Sequence, residues 1–162
     1  MMDLGRAYAK EHNFHCVFPI LANLYGPHDH LEPSRAHVVT DLMLRCVSSP
    51  EELIVWGTGE AQREFLYIED AAAGVLACIK APAGEFINIG SGSAIAILNL
   101  ARLIITSHGL TIPIRLDKSK PNGQLRKVLC VKKAKELLGW HAETSLESGL
   151  KQTALWYRQQ VR

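Results

Sequence analysis

Residues 53–90, LIVWGTGEAQREFLYIEDAAAGVLACIKAPAGEFINIG, decide the fold class. Residues 53–56 and 63–68 are short apolar-rich runs of strand length, separated by Gly57-Thr58-Gly59. Residues 71–79 read as a small-residue helix with Asp70 as its expected N-cap, and 85–89 as the next strand. Strands alternating with helices argue an α/β fold with at least part of a parallel sheet.

The flanks fit the same alternation. Toward the N-terminus, 3–13 is expected to be helical with Leu4, Ala7 and Tyr8 on one face, and Cys16 to Leu21 is a strand-length apolar run. Residues 23–27 read as a loop and 28–34 as an exposed polar excursion. A helix over 35–47 carries Val38, Leu42, Met43 and Cys46 at helical spacing. Toward the C-terminus, Gly90-Ser91-Gly92-Ser93 reads as a turn, 97–107 as a helix stopped by Gly109, and 112–116 as a strand. A basic loop, 118–123, precedes helices near 131–138 and 146–160, the second with Thr144 and Glu147 as a capping box. No G-x-G-x-x-G occurs, and Gly90-Ser91-Gly92 has Ala94-Ile95 where a third glycine would be needed.

Composition narrows the function classes. The 162 residues are 48% hydrophobic and 21% charged, which excludes disordered, collagen-like and coiled-coil chains and supports one real core. Eighteen Lys+Arg against sixteen Asp+Glu give a net charge of +2, which argues against a nucleic-acid binder and leaves a small anionic ligand open. No stretch reaches the ~20 apolar residues of a membrane span; the longest, 95–105, is broken by Asn99 and Arg102. Met1 to Arg6 lacks a basic segment followed by an apolar one, and the four cysteines form no C-x-x-C pair. The expectation is a cytoplasmic protein with reduced thiols.

Two segments carry a resemblance. Asn23-Leu24-Tyr25-Gly26-Pro27-His28-Asp29 runs on to Pro33-Ser34-Arg35-Ala36-His37-Val38, and Trp56-Gly57-Thr58-Gly59 runs on to Arg63-Glu64-Phe65-Leu66-Tyr67-Ile68-Glu69-Asp70. With Lys120-Pro121-Asn122-Gly123, Arg126-Lys127 and Lys135-Glu136-Leu137-Leu138-Gly139-Trp140, they make nearly the whole chain resemble one half of a known enzyme class. That half is the C-terminal half of the extended short-chain dehydrogenase/reductases of the NAD-dependent epimerase/dehydratase family that act on nucleotide sugars. Within the family the pattern is most similar to the GDP-L-fucose synthases, NADPH-dependent 3,5-epimerase-4-reductases of GDP-4-keto-6-deoxy-mannose. The implied fold is the C-terminal part of a Rossmann-like domain with the small substrate-binding lobe. Residues 1–50 would be the remnant of the Rossmann half plus the active-site loop, and 51–162 mostly the substrate lobe.

The resemblance assigns site residues. His37 stands where the family keeps its acid/base histidine, and imidazole suits proton removal and return next to a ketone near neutral pH. The bland alternative is a histidine flanking the helix that starts near Arg35. The family pairs its histidine with an upstream cysteine, and none of Cys16, Cys46, Cys78 and Cys130 matches it. Arg45, Trp56 and Arg63 are implied on the substrate nucleotide, where arginine grips phosphate through paired donors, with Asn122 and Lys127 closing over it. The family pattern has Asp at position 122 and often at 130. Leu21, Ala22, Asn23 and Leu24 are implied beside the nicotinamide of NADP, with Leu21 and Ala22 where relatives carry Pro and Thr. His28, Asp29, His30 and Glu32, with His37, also suggest metal ligands, but a solvated loop explains them more simply, and no metal is expected.

Three family elements are not in the sequence: the glycine-rich NADP phosphate loop, the catalytic Tyr-x-x-x-Lys, which the resemblance places just before Met1, and the partner cysteine. Tyr8 is followed four residues later by His12, not Lys. Two readings remain. One is the substrate-side half of an epimerase/reductase, inactive in reduction alone; the other is a non-catalytic nucleotide-sugar-binding or structural module. The expected partners are a GDP-sugar and either a second copy, as a homodimer, or a complementing N-terminal half. Exposed apolar residues on 3–13 and on the Cys16 to Leu21 strand would drive that association.

Overall fold

The computed structural model describes residues 2–32, 35–48 and 51–160. In chain order the elements are α1 (Met2–His12), β1 (Phe18–Leu21), β2 (Asn23–Tyr25), α2 (Val38–Ser48), β3 (Leu53–Trp56), β4 (Gln62–Tyr67), α3 (Ile68–Cys78), β5 (Phe86–Ile89), β6 (Ala94–Ala96), α4 (Ile97–Ser107), β7 (Ile114–Asp117), β8 (Arg126–Lys127), α5 (Lys132–Leu138) and α6 (Leu146–Gln160). The α/β class stands, and the pairing is mostly parallel: β1 with β5, β2 with β4, β3 with β7 and β4 with β8. Among the described residues, only β4 and β6 pair antiparallel.

Strand alternation divides the core in two. On β4, Phe65 and Tyr67 face one cluster and Leu66 the other; on β2, Tyr25 and Leu24 divide in the same way. The β2–β4 pair is therefore a wall with a core on each face. The larger cluster joins Val39, Leu42, Met43 and Cys46 of α2 to Leu100, Ala101 and Ile104 of α4, Leu150 of α6, and Leu53 and Val55 of β3. The smaller joins Ala71 and Cys78 of α3 to Ile87 and Ile89 of β5 and Ala134 of α5. Each fully buried Leu, Ile or Met here contributes about 1.5–3 kcal/mol. Both β1–β5 and β2–β4 pair a strand before residue 50 with one after it.

Several local expectations shift. Residues 23–27 are not all loop, because Asn23 to Tyr25 pair with Phe65 to Tyr67 as β2. The α2 helix begins at Val38 rather than Arg35; Pro33 and Ser34, in the expected excursion, lie outside the described residues. Asp70 is not an N-cap. The α3 helix starts at Ile68, and the Asp70 carboxylate instead accepts from the Thr144 amide at 2.9 Å, tying α3 to the approach to α6. That bond also removes the Thr144 capping box, and Ser145 Oγ takes the Ser148 amide at 3.2 Å instead. The face of α1 toward β1 is made by Gly5, where a Cβ would stand 2.8 Å from Phe18 Cζ, while Leu4 and Tyr8 remain exposed. Arg6 covers the Phe86 ring at 5.0 Å.

Candidate functional site

Parallel strands place ligand sites at their carboxyl ends. The ends of β1, β2 and β4 open into one cleft of about 520 Å³, lined by Leu21, Ala22, Asn23 and Leu24, by Gly26 to Asp29, by His37 and by Ile68. The four residues expected beside a nicotinamide and the expected acid/base thus share one cavity. Beyond Pro27 the chain turns at His28, whose φ of 70° is a left-handed conformation that non-glycine residues adopt uncommonly. That turn leads directly into Asp29.

Asp29 is the best-anchored polar group of the cleft. Its Oδ1 accepts from the His30 amide at 2.8 Å and from His37 Nδ1 at 2.9 Å, and its Oδ2 accepts from Thr40 Oγ1 at 2.5 Å. Its side chain is 13% exposed, against 68% for His37. Burial pushes the Asp29 carboxyl up. The bonds from Thr40, His37 and the His30 amide outweigh that and hold it below the ordinary carboxylate range. Asp29 is thus the partner of a histidine. Among the described residues, no group of three or more His, Cys, Asp or Glu is arranged to hold a metal ion.

A second cavity, about 440 Å³, lies on the other side of Asn23. Arg45 from α2, Trp56 from the end of β3, Arg63 from β4 and Asn122 from the loop before β8 all line it. Arg45 is held by Asp41 at 2.6 Å and by the Ile54 carbonyl at 2.7 Å, while its Nε is buried without a partner among the described residues. Trp56 does not fill the core: it is 60% exposed, with the Arg45 guanidinium 5.9 Å and the Lys120 ammonium 5.7 Å from its ring centre. Arg63 donates through Nη1 to the carbonyls of Gln62 and Gln124. Asn122 Oδ1 accepts from the Thr58 amide at 2.6 Å, so its carbonyl pins the 118–123 loop to the Gly57-Thr58-Gly59 turn. Gly57 and Gly59 make that turn possible with φ of 71° and 72°.

Lys127 lines neither of these two cavities. It lines a small pocket of about 30 Å³ with Leu21, Ala22, Asn23 and Glu64. It is also the register partner of Arg63 across β4 and β8. Two cations side by side on neighbouring strands repel, and neither is ion-paired to an acid among the described residues. An anion placed between them would relieve that.

Sequence reasoning missed Glu64. Only 1% exposed, it accepts from the Gly92 amide at 2.6 Å, the Leu129 amide at 2.6 Å and Ser91 Oγ at 3.4 Å. It therefore ties β4 to the turn after β5 and to the segment after β8. Its one signal is a charge directly before the apolar run Phe65-Leu66-Tyr67. Cys130 does not cap α5, although its carbonyl accepts from Asn88 Nδ2 at 2.9 Å. No helix among the described residues is long and apolar enough to cross a membrane.

Known proteins resemble the chain in sequence and in fold. The chain is 37% identical over 165 residues to the probable GDP-L-fucose synthase 1 of Oryza sativa subsp. japonica and 35% identical over 167 residues to the GDP-L-fucose synthase of Escherichia coli (strain K12). These alignments cover 99% and 94% of this chain and 50% of each relative, so the chain spans about half the length of the curated relatives it matches. The crystal structure of a GDP-L-fucose synthetase from Naegleria fowleri superposes with a TM-score of 0.89 at 28% identity, over 98% of this chain and 52% of that one. A UDP-glucose 4-epimerase from Thermotoga maritima, solved with UDP-glucose, superposes at 0.86 with 27% identity, over 99% and 52%. A sequence model of the NAD dependent epimerase/dehydratase family matches residues 1–90, which hold both β1 to β5 and the whole Asp29–His37 cleft. On that match, the chain belongs to the NAD dependent epimerase/dehydratase family.

Proposed function

We propose that the chain is the C-terminal, substrate-side half of a GDP-L-fucose synthase-like, NADP-dependent nucleotide-sugar epimerase/reductase. One observation carries the reading: Arg45, Trp56, Arg63 and Asn122, from four separate segments, line a single cavity that shares Asn23 with the cleft holding His37. A nucleoside diphosphate fits this second cavity by its chemistry. Trp56 offers a stacking face, Arg45 and Arg63 offer cationic donors to two phosphates, and Lys127, outside the cavity beside Arg63 on the neighbouring strand, adds positive charge. The sugar would then extend past Asn23 toward His37.

His37 is the acid/base. The bond from a sugar carbon next to the ketone to its hydrogen breaks, imidazole Nε2 takes the proton, and the electron pair moves onto the ketone oxygen as an enolate. Return of a proton to the other face completes epimerisation. The residues of the cleft fit one end of the cofactor: the wall of Leu21, Ala22, Leu24 and Ile68 suits a flat nicotinamide ring, and no lining residue forms a glycine-rich phosphate loop. NADP, when bound, supplies the hydride of the reduction. Reduction then requires the glycine-rich loop and a Tyr-x-x-x-Lys from a complementing half, and we place the protein in the cytoplasm with its four free cysteines reduced.

Calorimetry on the chain with GDP, GDP-mannose and NADPH tests the reading. GDP and GDP-mannose are expected to bind with affinity that Arg63→Ala removes, and NADPH to bind weakly or not at all. Micromolar NADPH affinity with no response to GDP would overturn it. GDP binding without proton exchange on a keto-sugar would make the chain a binding module instead.

A further inference from the structure

The imidazole of His37 has two nitrogens, and only one can serve as the base of the cleft. An ionised carboxylate only accepts hydrogen bonds, so the 2.9 Å contact to Asp29 Oδ1 requires the proton on His37 Nδ1. Nε2 is left bare, and it makes no hydrogen bond among the described residues. Asp29 is itself fixed on both oxygens, by the His30 amide and by Thr40, which is 3% exposed. The order runs from a buried hydroxyl to a nearly buried carboxylate to an exposed imidazole at the edge of a 520 Å³ cleft.

We propose that Asp29, held by Thr40, is the positioning residue of His37: it fixes the ring and its tautomer so that Nε2 faces the cleft as the proton acceptor. The acid/base part of this rests on the reading of His37 above, whereas the fixed tautomer stands on geometry alone. A freely turning imidazole presents either nitrogen, and a base with the wrong tautomer forfeits most of its contribution.

The geometry separates two variants. In Asp29→Asn the His30 amide still needs an acceptor at Oδ1, so the carbonyl oxygen takes that place and continues to accept from His37 Nδ1, while the amide nitrogen turns to Thr40 Oγ1. The tautomer survives and the negative charge is lost. Asp29→Ala loses both.

Ring nitrogens of a ¹⁵N-labelled chain, read by long-range proton–nitrogen correlation at about pH 8, above the imidazole range, provide the test. One of the seven histidines is His37, identified by the signal that His37→Gln removes. The expected result is an Nδ1–H ring for His37 in the parent and in Asp29→Asn, and its loss in Asp29→Ala. An Nε2–H ring in the parent, or an unchanged spectrum in Asp29→Ala, overturns the proposal. If Asp29→Ala does not fold, the parent spectrum and Asp29→Asn still decide.

Deuterium uptake from D₂O into GDP-4-keto-6-deoxy-mannose, without cofactor, is the second measurement. Asp29→Ala is expected to lower uptake about 100-fold and Asp29→Asn less than about tenfold, within the range of a general base. Uptake unchanged in Asp29→Ala overturns the positioning role. Correct ring spectra with no uptake by the parent would leave the tautomer assignment standing and end the acid/base reading of His37.

Discussion

Asn23 Nδ2 donates to the backbone carbonyl of Glu64 at 2.7 Å, and this bond sits where three cavities meet. It fixes the end of β1 and the start of β2 against the strand that carries Arg63. The Glu64 side chain then reaches the opposite way, to the amides of Gly92 and Leu129. A single residue thus holds the Asn23 turn, the turn after β5 and the segment after β8 in one register.

Glu64→Gln is therefore expected to destabilise the chain by about 2–3 kcal/mol, because a buried amide nitrogen would face a backbone N–H donor and a charge-assisted bond would be lost. Gly90 leaves no room for adjustment, since a Cβ there would already overlap Glu64 Oε1. Urea unfolding of the two proteins measures the difference. A loss below about 0.5 kcal/mol, the range of ordinary surface changes, would mean the clamp is dispensable.

Affinity for a GDP-sugar should depend on Arg63 and hardly at all on His37. Phosphate pairing acts in the ground state, whereas an acid/base acts on the transition state. Arg63→Ala is expected to weaken GDP binding by about 1.5–3 kcal/mol, the range for hydrogen bonds to charged groups. His37→Gln should bind GDP as the parent does. Equal affinity for Arg63→Ala and the parent would remove Arg63 from the pyrophosphate.

How much of this was legible in sequence follows from the range of each interaction. The long apolar patterns gave α4, β3 and α6 with their bounds, because periodic burial is a local signal. β2, β6 and β8 were not legible: they are two or three residues long and exist only because β4 supplies a distant partner. Asp70 and Thr144 satisfy local capping rules, yet they bond to each other across 74 positions, and tertiary geometry overrides the local preference. For the site, the family resemblance rather than any local pattern pointed to His37, Arg45, Trp56 and Arg63, and these residues line two adjoining cavities. The role of Asp29 was hidden. Its partner Thr40 is eleven residues away inside a helix, so the aspartate read as a loop residue or a metal ligand.

The lowered pKa of Asp29 has a pH consequence with a definite sign. A carboxylate whose folded value is depressed contributes stability that is fully present above its unfolded value, near 3.8, and is lost as pH falls through the folded value. The stability gap between the parent and Asp29→Asn should therefore shrink as pH falls below the unfolded value. Comparing the pair cancels the titrating groups that do not touch Asp29. A gap that grows on acidification would mean that burial, which pushes the group up, wins over the bonds from Thr40, His37 and the His30 amide.

The isolated chain is expected to associate through α1 and β1. No residue of α1 is buried, and Leu4 and Tyr8 are 60% and 50% exposed. Nearby, Ile20 and Leu21 at the end of β1 are 39% and 41% exposed, and β1 pairs with β5 alone among the described residues, leaving its other edge without a strand. Exposed strand edges invite pairing, and contiguous apolar surface invites cover. A two-fold arrangement covers both features in both copies with one self-complementary patch, and a complementing half would cover them with a different chain. Light scattering at tens of micromolar, on the order of the concentrations at which weak interfaces form, is expected to give a mass above that of the monomer. Leu4→Lys with Tyr8→Lys should return it to the 17.9 kDa of one chain without unfolding it, since neither side chain is buried. A monomer mass for the parent, with the α1 amides protected from hydrogen exchange, would show that α1 is stable uncovered, and the prediction would fail.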